Sequence, residues 1–585
     1  MSKRKRTEAK VVVKVAVEVA TQRGKSNRPQ TALQAVPPTM VHRHLGRWLG
    51  WAEIGATILL LLAAVVLHFQ VWLHAGALWR DEINSVNLVR LPISAVWKNL
   101  QYDSFPLLWF MLLKGWTAVF GFSDISTRSM GLVIGLGIVA ALWRTSRLVG
   151  RKTPLPALAI FAMAPTVLTV GGSVRAYGLG SLLIILAAGS MWRLVREPTR
   201  RHAVEAGILA LLSVQCLYQN CVMFFAVGCG CAAVALFRRD WKVLLMLLVI
   251  GLLAAASVVP YLPTMAQIGH WNVIIKMPVG IAWLSGKFVQ ALDPQGLGLV
   301  WLWAALGIFA TTICVWELVR RASRQSADKS DLAIFVLVTM LACLVAYAAF
   351  LEYLSYPTQA WYYLPIMSLL AVLAEAAAAL VRPARLGLRL AILIGMTGAA
   401  IAVFAVSWSA VKVRQTNVDL VAAKLESLVS ADDYVVVNPF YYGVSFAQYY
   451  HGKAAWTTVP DVGEHHIHRY DLYKAKMAET DPIAPIRKDI EATLRSGHHV
   501  WLVGGIDIPP PAEPLISIPP APNSPYGWNE GIYSAVWSRQ AGYAIRHNAT
   551  SYDVISVPLP GPVNPYENAP LIVFPKLQQS GVGQR

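Results

Sequence analysis

Charge is what this sequence has least of. Only 14% of its 585 residues are Asp, Glu, Lys or Arg, against about a quarter in soluble domains. Hydrophobic residues make up 56%. Water cannot accommodate that much apolar surface, so a soluble globular protein is excluded. Cysteine is scarce as well. The six present (Cys216, Cys221, Cys229, Cys231, Cys314 and Cys343) all lie in apolar runs. The polar C-terminal part holds none, which excludes a disulfide-stapled domain there. Cys229 and Cys231 sit two apart in an apolar stretch, where packing outranks metal binding. No segment repeats. The first apolar run begins near Ala52 and is long enough to remain as an anchor, unlike a cleaved signal peptide.

Long apolar runs are what the chain has in excess. Runs able to cross a bilayer core, which takes about 20 helical residues, occur at 52–73, 129–143, 154–171, 177–196, 203–218, 221–237, 243–263, 297–318, 332–351, 361–381 and 388–410. The net charge is +19. Its basic residues fall in the tail (Lys3, Arg4, Lys5, Arg6) and in alternate gaps at 144–152, 193–202, 238–242, 320–329 and 382–389. This is the positive-inside pattern, not a nucleic-acid surface. It places residues 1–50 in the cytoplasm as a basic tail. Loops 74–128, 172–176, 264–296 and 352–360 then face outward, as does everything after about residue 410. The stretch 105–122 is apolar enough to cross, but a crossing would invert the later parity. It reads as a re-entrant or tilted element, and the count as about 11–13 spans.

Beyond the last span the pattern changes. Residues 417–430 carry helical apolar spacing at Val418, Val421, Leu425 and Leu428, and 442–450 reads as a second helix. Stretches 434–437, 499–503 and 552–557 read as strands, and the Pro-rich 508–525 as a loop. The expected organisation is a transmembrane domain at 51–412 with an outer loop at 74–128, then a soluble extracytoplasmic α/β domain at 413–585. The fold class is a polytopic α-helical membrane protein.

Chemistry concentrates in the outer loop. Asp81 and Glu82 sit side by side in Leu78-Trp79-Arg80-Asp81-Glu82-Ile83-Asn84, just past the first span. A carboxylate near the bilayer is costly unless it is paired or used, and burial tunes it towards general-base work. Capping an interfacial helix is the plainer alternative. Downstream come Tyr102-Asp103-Ser104-Phe105-Pro106-Leu107-Leu108-Trp109, then Trp116, Phe120-Gly121 and Arg128-Ser129, and later Arg175-Ala176-Tyr177-Gly178-Leu179.

In order and spacing these residues resemble the GT-C membrane glycosyltransferases, in the bacterial branch akin to protein O-mannosyltransferases and lipid A aminoarabinose transferases. Asp81 and Glu82 match that group's outer-loop acidic pair. Asp103, Pro106 and Leu107 match its Asp-x-His-Pro-Pro-Leu-Tyr motif, while Ser104-Phe105 and Leu108-Trp109 depart from it, and the histidine is missing. Trp116, Phe120, Gly121, Arg128 and Ser129 match a third motif, and Arg175, Tyr177 and Leu179 a fourth. The motif-level match covers roughly residues 50–200, and the span architecture extends it to about 410.

The resemblance implies an integral inner- or plasma-membrane enzyme that moves a sugar from a polyprenyl-phosphate donor to an extracytoplasmic acceptor: lipid A, a protein or an envelope glycan. It implies Asp81 as base, Glu82 as its neighbour in orienting the acceptor, and Arg128 and Arg175 on the departing lipid phosphate. Asp103 is a supporting or metal-contacting candidate. Tyr177, Lys276, Gln359, Tyr362 and Tyr363 are substrate-binding candidates, although an interfacial aromatic belt accounts for the tyrosines equally well. The resemblance fixes no cofactor, and a divalent metal is left open. In the soluble domain, Glu464-His465-His466-Ile467-His468, with Asp461 and His451, has metal-binding residue types at a spacing that matches no zinc motif. Two other classes fit the architecture: a transporter or flippase for lipid-linked sugars, and a non-catalytic scaffold. The first would show paired halves and broken helices, and the second would tolerate loss of Asp81.

Overall fold

The computed structural model describes residues 38–271, 279–321, 327–383, 385–522, 530–549 and 551–575. The chain divides into a short unit, Met1–Gly50, and the remainder, Trp51–Arg585. Of the first unit the described part, 38–50, is helical.

Nine helices among the described residues are long and apolar enough to cross a membrane: His44–His74, Asp124–Leu148, Ala176–Arg196, Gln219–Arg238, Trp241–Ile268, Leu299–Arg320, Asp328–Leu354, Ala360–Ala379 and Leu386–Ala410. The two remaining expected spans take other forms. The run 154–171 is a broken helix. Leu155–Ala157 passes into a π-turn, Leu158–Ala162, and helix restarts at Pro165–Gly171. Pro165 has no N–H to donate, so the break falls before it and the proline opens the second piece. The run 203–218 is the 15-residue helix Arg200–Val214, about 22 Å long at 1.5 Å per residue.

The ambiguous stretch 105–122 contains the helix Leu107–Phe120, 14 residues long. It spans about 21 Å, well short of a bilayer core of about 30 Å. Gly121 stops it at φ +80°. The helix is tied to its own loop, because Lys114 Nζ donates to the carbonyls of Val89 (2.7 Å) and Leu91 (2.9 Å) and Trp116 Nε1 donates to that of Ser126 (2.9 Å).

One end of the bundle is rich in arginine, and each buried carboxylate there has a partner: Arg151 with Glu375 (2.9 Å), Arg238 with Asp331 (2.8 Å) and Arg382 with Glu317 (3.2 Å). Removing one member of such a pair strands a charge at low dielectric. The loops that carry the acidic pair lie at the other end, with the C-terminal domain.

That domain is built on five strands: β1 (Tyr434–Asn438), β2 (Ala455–Thr458), β3 (Val500–Gly504), β4 (Asp553–Ile555) and β5 (Leu571–Phe574). Their order is β2-β1-β3-β5-β4, with β1 parallel to both neighbours and β5 antiparallel to β3 and β4. β1 and β3 are buried on both faces, as their unbroken apolar runs suggest. Val436 and Leu502 face a core that includes the helices Tyr470–Met477, Ala484–Arg495 and Glu530–Asn548. Val435, Val437, Trp501 and Val503 face another that includes Val418–Glu426 and Gly443–Tyr449. Sequence patterning finds β1, β3, β4 and the helices Val418–Glu426 and Gly443–Tyr449. It misses the four-residue strands β2 and β5 and the helices Tyr470–Met477, Ala484–Arg495 and Glu530–Asn548. Gly504 ends β3 at φ +97°, where a Cβ would lie 1.8 Å from the Asn438 carbonyl oxygen, so only glycine fits.

Candidate active site

The first span leads directly into the helix Arg80–Arg90, whose inner face from Glu82 to Val89 is buried. Glu82 sits at the third helical position, and its Oε2 accepts from the Trp79 N–H (3.2 Å). One of the four N–H groups that a helix start leaves open is thereby satisfied. Its Oε1 accepts from the Val174 N–H (2.9 Å). Arg128 completes the arrangement. Nη1 donates to Glu82 Oε1 (3.1 Å) and Nη2 to Oε2 (2.9 Å), while Nε and Nη2 also reach the carbonyls of Gly76 (2.7 Å) and Ala77 (2.6 Å). Both side chains are 5% exposed or less.

Glu82 is held by a guanidinium and two backbone N–H groups. Arg128 turns its planar fork to Glu82 and two carbonyls.

Glycine brings the second arginine into reach. A Cβ on Gly131 would lie 2.1 Å from the Gly172 carbonyl oxygen, and one on Gly178 would lie 1.9 Å from that of Gly171. The backbones therefore touch, and the loop between Pro165–Gly171 and Ala176–Arg196 is drawn onto the acidic helix. Arg175 donates from Nη1 to the Asp81 carbonyl (2.8 Å), to Ser85 Oγ (3.1 Å) and to Asp103 Oδ1, and Ser85 also donates to Asp103 Oδ2. The Arg175 guanidinium lies over the Phe105 ring at 4.6 Å. Its Nε is buried and meets no partner among the described residues. Asp103 is thus the counter-ion of Arg175. Burial pushes its carboxyl above the usual range, against the pull of Arg175 and Ser85.

Asp81 is the carboxylate left accessible. Its side chain is 20% exposed. Oδ1 lies 3.3 Å from Arg80 Nε and 3.4 Å from His468 Nε2. Burial pushes this carboxyl up, but the His468 ring and the charges of Arg80 and Arg175 outweigh it and hold Asp81 well below the ordinary aspartate value.

The C-terminal domain closes over this helix. The Arg80 N–H donates to Glu567 Oε2 (3.2 Å), and the Arg80 guanidinium lies 4.2 Å over the Tyr441 ring. The Leu78 N–H donates to the Tyr449 hydroxyl (2.9 Å), which in turn donates to Asp124 (3.0 Å). Asn84 Oδ1 accepts from the His468 N–H (2.8 Å), and Asn87 Nδ2 donates to the His466 carbonyl (2.8 Å). Two buried carboxyls of this domain face Arg80, and burial pushes both Glu530 and Glu567 up to about 7.

Of the remaining expected residues, Tyr177 and Tyr362 sit beside the cluster. Tyr177 packs edge-on against Phe105 (5.3 Å) and Tyr362 (6.3 Å), and Tyr362 meets Tyr356 (6.0 Å). Tyr363 is packed in the interior. It is 3% exposed and its hydroxyl donates to the Leu284 carbonyl (3.0 Å). Gln359 meets Tyr566 (3.3 Å) instead of the acidic helix. Lys276 lies outside the described residues.

The histidine run is no metal set either. The His465 ring packs on Trp456 (4.6 Å), and His468 turns to Asp81. Among the described residues no three His, Cys, Asp or Glu side chains are placed to share a metal. Three carboxylates near the site pair with arginines: Asp81 with Arg80, Glu82 with Arg128 and Asp103 with Arg175.

Sequence reading misses Tyr441, Tyr449, His468, Glu530 and Glu567. Each lies hundreds of residues from the acidic pair, and no spacing could connect them to it. His468 alone carried a signal, as part of a histidine run.

No family model matches the chain, and no curated protein matches it. Solved structures give partial likenesses. ArnT from Cupriavidus metallidurans, solved bound to undecaprenyl phosphate, matches at 12% identity and TM-score 0.48, over 77% of this chain and 93% of that one. The oligosaccharyltransferase of Archaeoglobus fulgidus matches at 12% identity and TM-score 0.47, over 77% and 69%. The arabinosyltransferase EmbB from Mycobacterium smegmatis matches at 14% identity and TM-score 0.31, over 64% and 33%. Each has a TM-score below 0.5, and the functional reading of this chain rests on its own residues.

Proposed function

We propose that this protein is a membrane glycosyltransferase of GT-C type that transfers a sugar from a polyprenyl-phosphate donor to a hydroxyl acceptor on the extracytoplasmic side, with Asp81 as the base. The observation that supports this reading is one accessible carboxylate, Asp81, set among Arg80, Arg175 and His468 where the first span ends. The donor's lipid tail dissolves in the bilayer, so its phosphate and sugar must be met at a membrane face.

In the proposed reaction the acceptor oxygen attacks the anomeric carbon. The bond from that carbon to the phosphate oxygen breaks, and the lipid phosphate leaves with the electron pair. The acceptor proton passes to Asp81. Arg175 is the cation for the phosphate, because it lies beside Asp81 and its Nε has no partner among the described residues. Positive charge placed where negative charge develops lowers the barrier. Glu82 and Arg128 hold the loop in shape. Tyr177 and Tyr362 offer ring faces to the sugar. The arginine-rich face of the bundle is assigned to the cytoplasm by the positive-inside rule, which puts the C-terminal domain outside.

Asp81→Asn tests the reading. Transfer from a polyprenyl-phosphate sugar, followed in membranes by mass spectrometry of envelope glycans, should fall by roughly 10²–10⁴-fold while the protein stays folded. If gene deletion and Asp81→Asn both leave every glycan unchanged, the enzyme reading is lost. A change in lipid sidedness alone would point to a flippase.

A further inference from the structure

We infer that His468, supplied by the C-terminal domain, is a positioning residue for Asp81, so that the membrane domain holds an incomplete site without it. The inference rests on the proposed role of Asp81 and deepens it.

Three observations carry it. The backbone of the 466–468 segment is pinned to the helix Arg80–Arg90 at both ends, by the His468 N–H on Asn84 (2.8 Å) and the His466 carbonyl on Asn87 (2.8 Å). The imidazole is fixed in plane by stacking on Tyr470 at 5.4 Å and 28°. It is 4% exposed, and among the described residues neither ring nitrogen has a hydrogen-bond partner of good geometry. A buried imidazole whose nitrogens go unused is costly unless it serves a charged neighbour. That neighbour is Asp81, 3.4 Å from Nε2.

Oδ1 of Asp81 therefore faces Arg80 and His468 together. Holding Oδ1 orients Oδ2 towards the reacting hydroxyl. The ring has a second effect. With Nε2–H towards Oδ1 it stabilises the carboxylate, together with Arg80 and Arg175 and against Asp103, Tyr177, Tyr362 and Tyr470, which also surround Asp81. Loss of the imidazole should thus let the Asp81 carboxyl titrate at higher pH.

The test uses full-length protein in proteoliposomes with a polyprenyl-phosphate sugar, comparing His468→Ala, His468→Gln and Asp81→Asn. For His468→Ala the turnover number should fall by roughly 100-fold, the cost of a misplaced reacting group. Donor KM should stay within about twofold, and the acid limb of the turnover–pH profile should move to higher pH. Added imidazole should restore part of the turnover, and His468→Gln, which keeps an N–H donor, should retain more than the alanine variant. A purely structural histidine would give neither the shifted acid limb nor the rescue. The inference is overturned if His468→Ala keeps its turnover and acid limb while Asp81→Asn is inactive. If Asp81→Asn is as active as the unaltered protein, the assignment of Asp81 as base falls first and takes this inference with it.

Discussion

Arg128 and Arg175 each stand in an outward-facing motif, and the sequence reading offers both to a phosphate. Their surroundings separate them. Arg128 is the buried counter-charge of Glu82, whose carboxylate is otherwise held by two backbone N–H groups. Arg128→Ala leaves that carboxylate buried and unbalanced, a loss of about 3–5 kcal/mol. The expected result is a large drop in melting temperature in detergent, with activity lost through unfolding. Arg175 Nε has no partner among the described residues. Arg175→Lys retains the charge for Asp103 but removes the planar fork. It should melt close to the unaltered protein, yet raise donor KM by roughly 10–100-fold, the value of a hydrogen bond to a charged group. Equal loss of stability in the two variants would mean that both arginines are fastenings.

Among the elements, the helix Leu107–Phe120 decides the topology. Its composition suits a crossing, but Lys114 within it is tied to the loop carbonyls of Val89 and Leu91. Single cysteines at Gln101 and Ser123, on either side of it, should therefore react with a membrane-impermeant maleimide from the same side; labelling from opposite sides would overturn the parity of every later span. The approach of the helix Asp124–Leu148 to the loop 172–175 gives a second prediction. Gly131→Ala places a methyl group 2.1 Å from the Gly172 carbonyl oxygen, which must move. Because that loop carries Val174 and Arg175, transfer should fall more steeply than for Gly137→Ala, which meets only a flexible leucine side chain. Parallel assays of the two variants check this.

The whole molecule is held together at this end by a seam between the acidic helix and the C-terminal domain, and the seam contains Glu567. Burial raises its carboxyl from an ordinary 4.5 to about 7, against the opposing effects of Ser445 and Arg80. The folded state thus binds this proton more tightly than the unfolded state does. The contribution of the group to stability is full below about 4.5 and is lost as pH rises through about 7. Glu567→Gln, neutral at every pH, should flatten that part of the profile. Melting temperatures measured from about pH 5 to 8 should fall further in the unaltered protein than in the variant, and parallel curves would show that Glu567 does not titrate at the seam. Local physics made much of this molecule readable from its sequence. Apolar runs of bilayer length announce spans, alternating basic gaps orient them, and adjacent acids beyond a span mark Asp81. Tertiary structure decided which charges are spent and which are free. Glu82 and Arg128 neutralise each other, Asp103 balances Arg175, and His468 crosses nearly four hundred positions to reach Asp81. Pairing between buried charges depends on distance in space, and no local pattern encodes that distance.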